Sequence, residues 1–128
     1  MIVFDASVLI AYLDADDELH ARAEALLSAA VDDDFGANSL TLGEVLVAPA
    51  RTGQLDAAQS ALRELEVDEL TFPANAAIPL ARLRASTGLK MPDCCVLLAA
   101  EDRHATVGSF DDQLARAAEA RDLLVIRS

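Results

Sequence analysis

Met1-Ile-Val-Phe-Asp5-Ala-Ser7-Val-Leu-Ile-Ala-Tyr-Leu13 is the stretch whose reading decides the fold. An unbroken apolar run closed by a charge is the pattern of a strand covered on both faces, so residues 1–5 read as a short buried strand. From Ser7 to about Leu13 the apolar residues continue as a helix, and Asp5 is the only charge in the whole stretch. A buried strand running straight into a helix is the first half of a βαβ unit, and the rest of the chain repeats that alternation.

Working outward, His20 to Val31 has helical spacing, with Ala21, Ala25, Leu26 and Ala29 expected on its inner face. Phe35-Gly-Ala-Asn-Ser39 reads as a short strand closing on a cap, followed by a helix from about Thr41 to Ala50. Gly53 stops that helix, Leu55–Leu65 forms another, and Val67–Phe72 fits a strand. Ala74–Ser86 reads as a helix despite Pro79, which either kinks it or marks a later start, and Gly88 ends it. Pro92 suits the first position of a helix running to about His104. Ala105–Ser109 is a strand, Asp111–Ala120 a helix and Leu123–Ile126 a last strand. The expected architecture is α/β: a Rossmann-like parallel sheet of about five strands flanked by helices, with residues 1–128 forming a single domain.

Composition agrees. A chain of 128 residues buries roughly two thirds of its unfolded surface and needs no disulfide or metal merely to fold. It is 53% hydrophobic but only 4% aromatic, so its core must be Leu, Val, Ile and Ala. Adjacent Cys94 and Cys95 cannot easily bridge and read as small apolar residues of a reduced protein. With no basic segment before the first strand and no long apolar run, a cytoplasmic protein without a membrane span is expected. A net charge of −12 argues at first against a nucleic-acid partner. Surface-like clusters such as Asp32-Asp-Asp34 account for part of it, and bound cations would cancel another part.

Four acids stand in apolar surroundings. Besides Asp5, Glu44 is the only charge between Asn38 and Ala50, Asp93 is the sole acid between Thr71 and Ala100, and Asp111 follows the apolar strand near Val107. An isolated buried carboxylate costs several kcal/mol unless it is paired, hydrogen-bonded or bound to metal. Asp5 and Asp111 fall at the carboxyl ends of strands, the edge of a parallel sheet where ligands bind, and Asp93 lies in the first turn of a helix. Two carboxylates about 4 Å apart repel by roughly 4 kcal/mol at an effective dielectric near 20, so a convergence of four requires protons or cations. Oxygen-only ligands select hard ions, Mg²⁺ or Mn²⁺.

Each acid also has a plainer explanation. Asp5 caps the following helix, Thr41-Leu-Gly-Glu44 is a possible capping box, and Asp93, Asp111 and Asp112 are ordinary helix-start residues. His20 and His104 read as solvated helix residues. Arg82, Arg84 and Lys90 either contact phosphates or simply charge an exposed face.

Taken together, Ile2-Val-Phe-Asp5-Ala-Ser7, Asn38-Ser-Leu-Thr-Leu-Gly-Glu44-Val-Leu, Met91-Pro-Asp93 and Val107-Gly-Ser-Phe-Asp111 resemble the PIN-domain ribonucleases. The likeness is in particular to the VapC toxins of bacterial and archaeal toxin–antitoxin pairs, and covers essentially the whole chain. It implies that Asp5, Glu44 and Asp93 are the central acids of a magnesium- or manganese-dependent site and that Asp111 is the fourth. Ser7 matches a hydroxyl residue that supports the first acid, Ser109 stands where the family often has Thr, and Asp112 is an additional acid beside the site. The resemblance further implies hydrolysis of phosphodiester bonds in structured RNA (transfer or ribosomal), a homodimer, and inhibition by a cognate VapB-like antitoxin. A non-catalytic PIN-like module binding RNA or protein is the main alternative, and it would be expected to lose one or more of the acids. Receiver domains and haloacid-type phosphatases fit poorly: the paired acids and late Lys of the first, and the second Asp of the other, are missing, Ser7 standing where that Asp should be.

Overall fold

A strand sits at the centre of the molecule because both of its faces are apolar. In the computed structural model, which describes residues 1–127, β1 (Ile2–Phe4) pairs in parallel with β2 (Phe35–Asn38) on one side and β4 (Thr106–Gly108) on the other. Next to β2 lies β3 (Val67–Leu70), and next to β4 lies β5 (Val125–Ile126), giving a five-stranded, all-parallel sheet of order β3-β2-β1-β4-β5. The chain fills one half of the sheet and then crosses to the other, so strand order reverses between β1 and β4. The crevice outside their carboxyl ends is where such sheets bind ligands.

Alternation along β1 divides the core. Ile2 and Phe4 join Val8, Leu9, Leu26, Phe35 and Val45 on the face covered by α1 (Ala6–Leu13), α2 (His20–Ala29), α3 (Ser39–Arg51) and α4 (Leu55–Glu64). Val3 points the other way, to Leu97, Val107 and Leu114, beneath α5 (Ala77–Thr87), α6 (Met91–Arg103) and α7 (Asp112–Ala120). Gly108 is dictated by this packing, since a Cβ there would stand 2.5 Å from the fully buried Phe4 ring. At the sheet edge, Asp68 and Glu69 keep β3 exposed and charged, which discourages pairing with another chain. Among the described residues no helix is long and apolar enough to cross a membrane.

The expected elements are all present, with ends trimmed where polar residues leave the ladder to cap helices. Strand 1–5 stops at Phe4 because Asp5 is the N-cap of α1, and α3 begins at Ser39 because Asn38, not Thr41, caps it. Pro79 marks a late start: α5 opens at Ala77 and keeps Pro79 in its first turn, where no helical N–H is lost. The inner face of α2 is corrected. Ala23, Leu26, Leu27 and Ala30 are buried, while Ala21, Ala25 and Ala29 are exposed. Six of the ten residues of α2 are Ala or Leu, so its own sequence could not choose between neighbouring stripes.

Candidate active site

All the acids of interest lie at the carboxyl edge of the sheet. Asp5 follows β1, Glu44 is in the second turn of α3 just beyond β2, and Asp111 is the N-cap of α7 after β4. Because α6 returns the chain to the start of β4, its first turn, with Asp93, also lies at this edge.

Asp5 is buried, at 5% exposure, and its carboxylate is held from both sides. The Ser7 hydroxyl donates to Oδ1 at 2.6 Å and the Val8 N–H to the same oxygen at 3.4 Å. The Ser109 hydroxyl donates to Oδ2 at 2.5 Å. Both serines also act as acceptors, Ser7 from the Phe110 N–H at 3.0 Å and Ser109 from the Asp111 N–H at 2.9 Å. The loop after β1 and the loop after β4 are therefore stapled together through one carboxylate. Burial pushes the Asp5 carboxyl above its usual range, and the hydrogen bonds from Ser109, Ser7 and Val8 pull it partly back.

Asp93 is half-buried and also raised, first by burial and then by repulsion from Asp111, Asp5 and Glu44, with Lys90 the opposing charge. Four separate segments thus bring acids close enough for each of the other three to be felt at one carboxyl. Glu44 and Asp111 are exposed, so their isolation in the sequence reflects position at the sheet edge and not burial. The capping box expected at Thr41–Glu44 does not form, because Asn38 Oδ1 accepts the Thr41 N–H at 2.9 Å. Glu44 is left without a capping duty. Asp111 does cap its helix, accepting from the Leu114 N–H at 3.0 Å.

The cluster is looser than one closed cage. Among the described residues no group of three or more acidic, histidine or cysteine side chains is poised to grip an ion directly. A magnesium ion keeps several waters and takes one or two protein carboxylates, so such an arrangement of oxygen donors, with repulsion that only one lysine opposes, fits a hard divalent cation. Asp112 lies apart: it pairs with Arg127 at 3.1 Å.

The remaining sequence candidates have structural occupations. His20 joins α2 to α1, its Nδ1 2.8 Å from the Ala11 carbonyl and its Nε2 3.2 Å from Glu24. His104 ends α6 in a left-handed conformation. Arg84 donates to the Gly88 and Leu89 carbonyls at 2.7 and 2.8 Å, fixing the turn before Lys90. Sequence reasoning misses Asn38 as a site residue. It is 1% exposed, and its Nδ2 has no protein partner beside the acids' edge. The only sequence signal is its place as a cap after a strand.

The PIN domain family model matches residues 2–120. No curated protein matches the chain. Among solved structures, a toxin–antitoxin complex from Klebsiella pneumoniae is similar at 20% identity and a TM-score of 0.79, over 99% of this chain and 97% of that one. FitAcB from Neisseria gonorrhoeae is 20% identical with a TM-score of 0.73 over 99% of this chain and 97% of that one. A sarcin–ricin-loop-cleaving VapC toxin from Mycobacterium tuberculosis is 16% identical with a TM-score of 0.72, over the full length of both chains.

Proposed function

The chain belongs to the PIN domain family, and from that premise we propose that it is a metal-dependent endoribonuclease, the toxin of a VapBC-type pair. The observation that carries this reading is the Asp93 carboxyl, pressed by three other carboxylates from separate segments and opposed by one lysine. A merely structural acid cluster would carry repulsion without benefit, whereas a divalent cation turns the same repulsion into affinity.

Asp5 and Asp93 are the chief ligands in this reading, Asp111 completes the donor set, and Mg²⁺ or Mn²⁺ is the ion. When bound, such an ion neutralises charge on a scissile phosphate and acidifies a water. The protein groups do the rest. Ser7 and Ser109 hold Asp5 in one orientation, which preserves its ionised form against burial. In this reading Glu44, exposed and free of a capping duty, orients the attacking water and accepts its proton. Lys90 stands beside Asp93, where an anionic phosphate oxygen would arrive.

Structured RNA, transfer or ribosomal, is the substrate class, and residues 1–128 act as one nuclease domain. A VapB-like antitoxin and a second copy of the chain are the partners in a cytoplasmic setting. The similarity to a toxin–antitoxin complex from Klebsiella pneumoniae supports the antitoxin. Purified protein incubated with total cellular RNA and Mg²⁺ or Mn²⁺ tests the proposal, run beside EDTA and an Asp93→Asn variant. Discrete products that require both the metal and Asp93 are expected. A folded protein that cuts nothing and takes up no divalent ion by calorimetry would leave a non-catalytic binding module.

A further inference from the structure

The cations of this acidic chain are not scattered evenly. A cleft at the amino-terminal edge of the sheet, beside Phe35 and Tyr12, is lined by Glu24, Asp33, Asp34, Glu64 and Glu66 and by no basic residue. On the α5–α7 side the balance is opposite. A groove of about 520 Å³ runs between the turn at 86–89 and the exposed face of α7, including Gln113, Arg116 and Arg121, with no acid in its walls. It continues past Ser86 and Arg121 into a second depression of about 580 Å³, where Arg82 is added. The one acid there, Glu101, is already paired with Arg121.

The groove leads to the acid cluster. Its upper wall ends at Leu89, next to Lys90 and four residues before Asp93, and α7 enters it at Gln113, two residues after Asp111. The turn forming that wall is pinned by the bonds from Arg84 to the carbonyls of Gly88 and Leu89, which add a further cation beside the path. Arg82 and Arg116 are exposed and have no acidic partner among the described residues. In a molecule of net charge −12, a continuous channel offering guanidinium groups and almost no carboxylate is complementary to a polyanion and to little else.

We propose that this α5–α7 groove is the track for the RNA backbone, in which Arg116 and Arg82 hold phosphates flanking the one presented to the acids. The assignment rests on the nuclease reading and extends it from a cleavage point to a substrate path. Arginine suits the task, because its fork pairs with phosphate oxygens two at a time.

The test is binding of a labelled single-stranded RNA oligonucleotide, followed by anisotropy across a salt series, for the parent protein, Arg116→Glu, Arg82→Glu, Asp93→Asn and Arg51→Glu. Arg51→Glu makes the same charge change at the far end of α3. Removing one arginine–phosphate pair should flatten the plot of log affinity against log salt by about 0.7, equivalent to about fivefold weaker binding at 0.1 M salt. That result is expected for Arg116→Glu and Arg82→Glu, with Arg51→Glu at the parent slope. Asp93→Asn should keep the slope while losing cleavage. Saturating RNA should restore cutting by the groove variants. If they bind with the parent slope while Asp93→Asn stops cutting, the track is wrong and the acid centre stands. Should the parent bind and cut no RNA, both readings fall. Groove variants that change only self-association or antitoxin affinity would make this a protein-binding surface and overturn the assignment. Circular dichroism of each variant separates these outcomes from misfolding, and Arg116→Gln probes the same phosphate pairing more mildly.

Discussion

Replacing Ser109 by alanine should destabilise the metal-free protein by roughly 2–4.5 kcal/mol at neutral pH. The Ser109 side chain is fully buried, and its hydroxyl has two bonds to lose. Its bond to Asp5 Oδ2 at 2.5 Å is charge-assisted, a class that contributes about 1.5–3 kcal/mol. Its bond from the Asp111 N–H at 2.9 Å is of the neutral class, about 0.5–1.5 kcal/mol. Alanine leaves a gap of only one oxygen atom, so the missing hydrogen bonds and not cavity formation dominate.

The sign of the pH dependence follows from Asp5. Its folded carboxyl is already raised above 3.8 by burial, and Ser109 is foremost among the groups that lower it again. Without that hydroxyl the folded state binds the Asp5 proton still more tightly than the unfolded state does. Stability of the variant then falls as pH rises through the window above 3.8, and the deficit relative to the parent is fully developed only above the folded pKa. Urea unfolding of both proteins in EDTA, from about pH 7.5 to about pH 5 and so above the isoelectric region near 4.3, reads the deficit directly. It should shrink toward acid, and combining Ser109→Ala with Asp5→Asn should cost less than the sum of the two. A deficit below about 0.5 kcal/mol at every pH, or one that grows toward acid, would refute the idea that this hydroxyl sustains the Asp5 carboxylate.

Asp93→Asn should abolish cleavage yet raise the melting temperature of the metal-free protein at neutral pH by a few degrees, since it removes a half-buried charge repelled by Asp111, Asp5 and Glu44. Because the folded Asp93 pKa is raised, that gain should fade as pH falls toward 3.8, which a melting series over pH will show. Mg²⁺ at a hundredfold excess over its dissociation constant should stabilise the parent by about 2.7 kcal/mol and Asp5→Asn or Asp93→Asn far less, measured by calorimetric melting. Protons compete with the metal at the raised Asp5 and Asp93, so cleavage rates should climb with pH above the ordinary carboxylate range. Gly108→Ala should cost about 1–3 kcal/mol in urea unfolding, as its methyl would stand 2.5 Å from the buried Phe4 ring.

How much of this is legible in the sequence differs residue by residue. Asp5 can be found because the property that isolates it in the sequence, apolar neighbours on both sides, is also what buries it. Glu44 and Asp111 stand out for a partly wrong reason: they are exposed, and what unites them is location after parallel strands, a consequence of topology. The capping box at Thr41 misleads because Asn38 stands earlier and is the last residue of β2, paired with Leu70. The backbone turns there, before Thr41 can act. No local pattern announces that Ser109 donates to an acid 104 residues away, since that bond exists only once β1 and β4 are neighbours. The stripe of α2 is hidden for a related reason: alanine on every side of a helix leaves the choice of face to what it packs against.

The same topology answers the objection raised by net charge. A charge of −12 repels RNA only to the extent that RNA senses the molecule as a whole. A chain of this length has a radius of gyration of about 14 Å. In ~0.01 M salt, screening extends about 30 Å and the whole charge is felt, but in ~0.1 M salt it extends about 10 Å. At that range an approaching phosphate meets the nearer groups. On the α5–α7 side these include Arg82, Arg84, Lys90 and Arg116, with Glu101, Asp112 and Glu119 already paired to arginines, while the cleft of five acids opens on the opposite face of the sheet. The parallel sheet makes this separation possible, because its helices cover two opposite faces: α1, α2 and the end of α4 wall the acidic cleft on one, and α5 and α7 wall the basic groove on the other. Overall composition is therefore a poor guide to partners in this fold, and the face of the sheet on which each charge falls is a better one.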